Sequence, residues 1–360
     1  MKQTLVIAEA GVNHNGSLEM AFKLVDAAVD AGADIVKFQT FKAKNLVTAD
    51  AGKAQYQIET TGNQESQLAM LTRLELSYDA HHQLLEYCAS KNIEFLSTAF
   101  DSESLAFLVN DIKVKRLKIP SGELTNSPFV LAHACSGLDI ILSTGMATLE
   151  EVKNALSAIA FGYISPLDMS PSLANFELVF QSDEGQKVLS DKVTILHCTT
   201  EYPAPFDEIN LNAMDTLKQS FGLPVGYSDH SQGIAIPIAA VAKEAVIIEK
   251  HFTLDCSLPG PDHRASIEPL QLKMMVQSIR QVEKALGNGV KKPTISEAKN
   301  ITIARKSIVA QRDIKQGEPF NVSNLTIKRP GTGMSPDLFW QLISGQVASK
   351  SYLVGDLIDE

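Results

Sequence analysis

The chain has 360 residues, 44% of them hydrophobic and 21% charged, with a formal net charge of −10. Those values suit a globular protein with room for one large and one small domain. The acidic balance argues against a nucleic-acid-binding surface, although a local lysine cluster can still take an anionic substrate.

The four cysteines, Cys88, Cys135, Cys198 and Cys256, show no CxxC spacing. They fit reduced thiols better than a disulfide framework or a zinc site. The apolar run in the opening "MKQTLVIAEAG" is too short for a signal peptide, and no segment reaches the ~18 apolar residues of a membrane span. A cytoplasmic protein is expected, with no membrane and no nucleic acid among its partners.

Short apolar runs alternate with longer amphipathic stretches, the pattern of βα units around a parallel sheet. The predicted strands are 5–11, 34–41, 94–100, 116–122, 139–145, 193–200, 224–230 and 245–252. After the first comes "SLEMAFKLVDAAVDAG", a helix that Ser17 can cap at one end and Gly32 at the other. After the last comes "IEPLQLKMMVQSIRQVEKALG". Eight such units give a (β/α)8 barrel. An open doubly wound sheet is the weaker reading, because "GVNHNG" lacks the spacing of a dinucleotide fingerprint. Two long connections, 42–76 and 163–192, are expected to build walls or lids of the site.

Beyond Gly289 the texture changes to a linker followed by short strands with Gly and Pro turns. The expected organisation is a barrel over 1–288, a linker over 289–300 and a small β-rich domain over 301–360.

Each predicted strand turns polar at its C-terminal end, where barrel enzymes place their chemistry. One polar strand end is ordinarily a cap or a solvated group; eight together mark an active-site mouth. Side-chain alternation puts Lys37 with Gln39, Ser228 with His230, and Glu249 with His251 on common faces. Lys250 and Asp229 then face the surrounding helices as a wall-supporting ion pair, and Glu249 sits one layer below His251 as a supporting or core group.

The inward set has definite chemistry. Lys37 and Lys118, with Thr98, Ser121 and Ser228, supply the cations and hydroxyls that hold phosphate or carboxylate. His230 and His251 on adjacent strands suit a shared divalent ion, with substrate oxygens and water completing its shell. Manganese acting as a Lewis acid fits such a site. Glu9 and Glu123 can orient hydroxyls or move protons. Together these imply a metal-assisted enzyme for a small anionic, phosphorylated and polyhydroxylated substrate.

"IAEAGVNHNGS", "VKFQTFKA", "FLSTAFD", "KIPSGE", "HCTTEYPAPF", "GYSDHS", "EKHFTLD", "GPDHRASIEP" and "KRPGTG" resemble, in order, the bacterial sialic acid synthases. The resemblance spans nearly the whole chain. It implies a (β/α)8 barrel followed by an antifreeze-like (SAF) domain, and condensation of phosphoenolpyruvate with N-acetylmannosamine to N-acetylneuraminic acid and phosphate. It further implies a domain-swapped homodimer and Mn2+, with Mg2+ or Co2+ as alternatives, on His230 and His251. Matched by motif, Lys37, Thr98, Lys118, Ser121 and Ser228 contact phosphoenolpyruvate. Glu9, Gln39, Glu123, Tyr202 and Asp262 surround the amino sugar, and Arg329 reaches a partner's barrel mouth. Thr200 stands near the carboxylate and phosphate where some members carry Asn.

The relatives include legionaminic and pseudaminic acid synthases, which use a 2,4-diacetamido-trideoxy hexose or a similar sugar as acceptor. Two other readings compete from outside this chemistry. One is a non-catalytic sugar- or ice-binding protein, in which His230 and His251 have no role. The other is a Schiff-base aldolase, which needs an inward lysine held neutral in an apolar pocket.

Overall fold

The eight apolar runs form eight strands: β1 Leu5–Gly11, β2 Ile35–Thr40, β3 Glu94–Ala99, β4 Arg116–Ile119, β5 Asp139–Ser143, β6 Val193–His197, β7 Val225–Asp229 and β8 Ile247–His251. They close into one barrel in sequence order, every neighbouring pair parallel. This is a computed structural model describing residues 3–62, 64–165 and 169–359. Two units are present, Met1–Gly287 and Asn288–Glu360.

Alternation along the strands creates two separate cores. One set, including Val6, Ala8, Val36, Phe38 and Phe95, packs outward with the helices in the main apolar cluster. The other set, Ile7, Ile35, Leu96, Ile141, Leu196 and Ile247, forms its own buried cluster with Leu5 against it. That inner cluster plugs the barrel. Two residues further along their strands stand Glu9, Lys37, Thr98, Ser143, Cys198 and Glu249, so chemistry sits one layer above a dry floor. The register completes the ring. Glu9 lies opposite both Lys37 and His251, Thr98 opposite both Gln39 and Lys118, and Ser228 opposite Glu249.

Ser17 caps the helix Leu18–Ala31 by accepting the Met20 N–H, and Gly32 ends it at φ 80°. Only glycine adopts that left-handed conformation without steric cost. The helix Pro269–Leu286 follows β8.

The 42–76 connection contains three short helices, Ala43–Leu46, Gln55–Thr61 and Gln67–Leu74. It buries Met70 and Leu74 at the barrel mouth. Asn63 lies outside the described residues.

Among the described residues, 163–165 and 169–192 do not build a wall of the mouth, contrary to expectation. The helix Leu149–Ile164 already leads the chain from the end of β5 back toward the start of the strands. The segment then forms helices Leu173–Phe180 and Asp183–Lys192, which run directly into β6. It therefore joins a helix end to a strand start, on the face opposite the chemistry. Phe176, Val179 and Leu189 anchor it in the outer core. Residues 166–168 lie outside the described residues.

Within the second unit, β9 Ser307–Ala310 pairs antiparallel with β10 Leu325–Lys328. Its core gathers Ile308, Ile314, Phe320, Leu325, Leu342, Tyr352 and Ile358. The expected linker 289–300 includes the first part of a helix, Ile295–Ala304. Thr294 and Glu297 form its capping box, a signature that "PTISEAKN" carries openly.

Candidate active site

At the C-terminal ends of the strands lies a cavity of about 620 Å³, within the usual size of small-molecule sites. Its lining includes Glu9, Lys37, Gln39, Thr98, Lys118, Ser121, Glu123, Thr200, Tyr202, Ser228, His230, His251 and Asp262. Arg329 belongs to the second unit, where it is exposed and its Nε donates to the Ala304 carbonyl at 3.2 Å.

Four buried ionisable side chains form the base of the cavity. Lys37 Nζ lies 2.8 Å from Glu9 Oε2 and 3.6 Å from Glu249 Oε2, while Lys118 Nζ lies 3.5 Å from Glu249 Oε1. Lys37 also donates to Thr98 Oγ1 at 3.1 Å, Lys118 to Ser143 Oγ at 2.6 Å, and Ser228 to Glu249 at 2.9 Å. Burial alone would push the Glu249 carboxyl up, but Lys118 and Lys37 outweigh it and hold Glu249 ionised. Glu9 behaves oppositely. Burial raises it, and the single close lysine does not fully offset that. Glu9 therefore titrates near 7, and burial lowers Lys118 as well; when Glu9 takes up a proton, Glu249 is the one carboxylate left beside two lysines, which favours a bound anion.

Hydroxyls extend this anion-binding side. Ser121 Oγ accepts the Gly145 N–H at 3.0 Å and lies 3.2 Å from Cys198 Sγ. Thr200 Oγ1 is buried and has no partner, so its donor is available to a ligand. Glu123 follows on a one-turn helix at the rim, where it accepts from Asn126 at 2.7 Å.

His230 and His251 face each other with ring centroids 5.6 Å apart. His230 Nδ1 lies 2.6 Å from the Thr199 carbonyl. A carbonyl only accepts, so this nitrogen carries the proton and Nε2 keeps its lone pair. His251 Nδ1 is buried without a hydrogen-bond partner and lies 3.9 Å from Asp262 Oδ2. Burial lowers His230 to about 4 and holds His251 well below its ordinary value. Both imidazoles are therefore neutral near pH 7, which is the ligating form. Burial also lifts Asp262 to about 6. Among the described residues no group of three or more His, Cys, Asp or Glu converges as a metal cage. Two neutral imidazoles with an orphaned nitrogen suit an ion that keeps open positions. Tyr202 stacks on His230 at 4.2 Å, and Tyr56 from the 42–76 connection lies 5.0 Å from Tyr202.

Other polar strand-end residues turn away from the cavity. Asn13 donates to the Phe252 carbonyl and Ser266, and His14 Nδ1 accepts the Gly16 N–H. Ser97 bonds Thr40, which bonds His81, and His197 donates to the Ile209 carbonyl. Lys250 and Asp229 form the expected outward pair, 2.6 Å apart with both side chains fully buried.

Several lining residues were not singled out from the sequence. Cys198 is buried beside Ser121, and Tyr56 lies on a seven-residue helix whose apolar face is too short to read. The apolar group Val12, Phe41, Leu46, Val47, Met70 and Leu71 also lines the cavity.

Residues 24–291 match the NeuB family, and residues 305–358 match the SAF domain. The chain belongs to the NeuB family. Among its NeuB relatives, the N,N'-diacetyllegionaminic acid synthase of Campylobacter jejuni is 51% identical over 100% of both chains. The enzyme of that name from Legionella pneumophila is 45% identical, over 95% of this chain and 90% of its own. The crystal structure of N-acetylneuraminic acid (sialic acid) synthetase from Leptospira borgpetersenii is 34% identical. It covers 83% of this NeuB chain and 90% of its own, with a TM-score of 0.66.

Proposed function

We propose that this NeuB-family sugar-acid synthase condenses phosphoenolpyruvate with a 2,4-diacetamido-2,4,6-trideoxy hexose, forming N,N'-diacetyllegionaminic acid and phosphate. The observation that carries this reading is full-length identity of 51% to a legionaminic acid synthase. It displaces N-acetylmannosamine, the acceptor placed first on sequence grounds, in favour of the alternative.

Lys37, Lys118, Thr98, Ser121 and Ser228 hold the carboxylate and phosphate of phosphoenolpyruvate, and Thr200 adds its free hydroxyl donor. A divalent ion on His230 and His251, preferably Mn2+, would supply Lewis-acid polarisation of the open-chain acceptor aldehyde. Gln39, Glu123, Tyr202 and Asp262 orient the amino sugar. The phosphoenolpyruvate methylene carbon forms the new C–C bond with the aldehyde carbon. Water adds to the carbon that bears the phosphate; one of its protons restores Glu9, and C–O cleavage then releases phosphate, which leaves with the other. Glu9, raised by burial, carries the proton that the aldehyde oxygen takes up. Glu249 stays ionised and fixes both lysines throughout. Arg329 supplied by a second copy, in a domain-swapped homodimer, completes the mouth. The enzyme works in the cytoplasm.

Phosphate release tests the reading. It should require an amino-sugar acceptor and be most efficient with the diacetamido-trideoxy hexose, and phosphoenolpyruvate alone should give none. Equal release with and without any amino-sugar acceptor would sink it.

A further inference from the structure

The cavity has two unlike halves. From β3 to β7 its lining is cationic and hydroxylic, with Thr98, Lys118, Ser121, Ser143 and Ser228. Beside β1, β2 and the 42–76 connection the lining also carries Gln55, Tyr56, Gln57 and Gln67, but Val12, Phe41, Leu46, Val47, Met70 and Leu71 form a contiguous apolar stretch among them. Val12, Phe41, Met70 and Leu74 form a buried cluster of their own, with Leu46 and Leu71 packed against it. Phosphoenolpyruvate is nearly all charge, so this wall serves the other substrate.

Gly11 joins the two halves. A Cβ at this position would lie 3.2 Å from Glu9 Oε1, 3.4 Å from Gln39 Nε2 and 3.5 Å from His251 Cε1, at φ +51°. The side chains of Glu9, Gln39 and His251 therefore pack closely over this residue, leaving no room for a side chain there, and the next residue, Val12, already belongs to the wall. Val12 and Gln39, the residues on either side of this packing, both line the cavity together with His251, so the histidine pair and the wall belong to one continuous space.

We propose that the apolar wall carried by the 42–76 connection, through Val47 and Leu71, reads the non-reacting end of the acceptor and selects methyl-bearing groups over hydroxyls. The inference rests on the acceptor reading given above. The wall takes a terminal deoxy carbon and an N-acyl methyl. A hydroxyl pressed against it loses its water and gains no partner. An apolar surface rejects an added hydroxyl by about 100-fold at most, so the wall sets a preference and not an absolute exclusion.

Val47→Thr and Leu71→Asn are close to isosteric, and both positions are half-buried at the cavity surface. For wild type, each single variant and the double variant, kcat/KM is measured with the diacetamido-trideoxy hexose and with N-acetylmannosamine. Thermal midpoint and the KM for phosphoenolpyruvate are followed in parallel. Wild type should prefer the trideoxy sugar, and the double variant should cut that preference about 10-fold or more. Its KM for phosphoenolpyruvate should stay at the wild-type value. An unchanged preference in variants that still bind phosphoenolpyruvate overturns the role of the wall. Should Leu71→Asn fail to fold, Val47→Thr alone should still lower the preference, and no change in that variant overturns the wall equally. A wild type that turns over neither acceptor overturns the assigned function and the wall with it. A wild type that uses both but prefers N-acetylmannosamine overturns the selection while leaving synthase chemistry standing.

Discussion

Lys250 Nζ lies 2.6 Å from Asp229 Oδ2, and neither side chain reaches solvent. The two residues face each other across β7 and β8 on the helix side of the barrel. Lys250 also donates to the Ser231 carbonyl, while Asp229 accepts from the Ser231 N–H and the Tyr227 hydroxyl. The pair thus fixes the turn that begins with His230.

Removing one partner strands the other as a buried charge. Lys250→Met should destabilise the barrel by about 3–5 kcal/mol, read as a lower urea midpoint. Adding Asp229→Leu should recover part of that loss. A double variant no more stable than Lys250→Met would show that the pair is not what the single change disrupts.

Glu9 and Glu249 share Lys37 but differ in their state. Glu9→Gln keeps the shape and removes the proton carrier, so kcat should fall by about 100- to 10,000-fold. The KM for phosphoenolpyruvate should change little. A large rise in that KM with kcat preserved would reassign Glu9 to substrate binding.

For the histidine pair, chelation should abolish turnover and Mn2+ should restore it. His230→Ala and His251→Ala should each lose most Mn2+ affinity in calorimetric titration while the metal-free proteins still unfold cooperatively. Undiminished Mn2+ binding in both variants would remove these residues as ligands.

Buried neutral histidines make stability depend on pH. His133 is fully buried, its Nδ1 donates to the Phe129 carbonyl, and burial lowers it to about 4 from an unfolded value of 6.5. Between those values the unfolded chain binds more protons than the folded one. Its contribution is therefore complete above pH 6.5 and is lost as pH falls toward 4. The loss amounts to about 3 kcal/mol. Unfolding free energies of wild type and His133→Gln, measured from pH 4 to 7, should converge as pH falls. Parallel curves would assign the acid sensitivity elsewhere.

Period-two alternation made the barrel and much of its mouth readable. It placed Lys37 with Gln39, Ser228 with His230 and Glu249 with His251 inward, and Lys250 with Asp229 outward. What it does not encode is pairing across the floor. That Lys37 sits between Glu9 and Glu249 depends on the register of the closed sheet, not on any local pattern. The apolar wall was hidden because its helices span only 4, 7 and 8 residues, too short for helical periodicity to stand out. The place of the 163–192 segment at the other end of the barrel is not legible for a related reason. Its polar residues read as a loop after a strand, whereas Leu149–Ile164 had already carried the chain to the other end.

The central claim is that this cavity joins phosphoenolpyruvate to an amino sugar with cleavage of the C–O bond. Turnover in 18O-labelled water, followed by mass spectrometry of product and phosphate, tests it most directly. The expected result is one diacetamido nonulosonic acid formed per phosphate released, with the phosphate unlabelled. Label in the phosphate, or phosphate released without a C–C-bonded product, would contradict it.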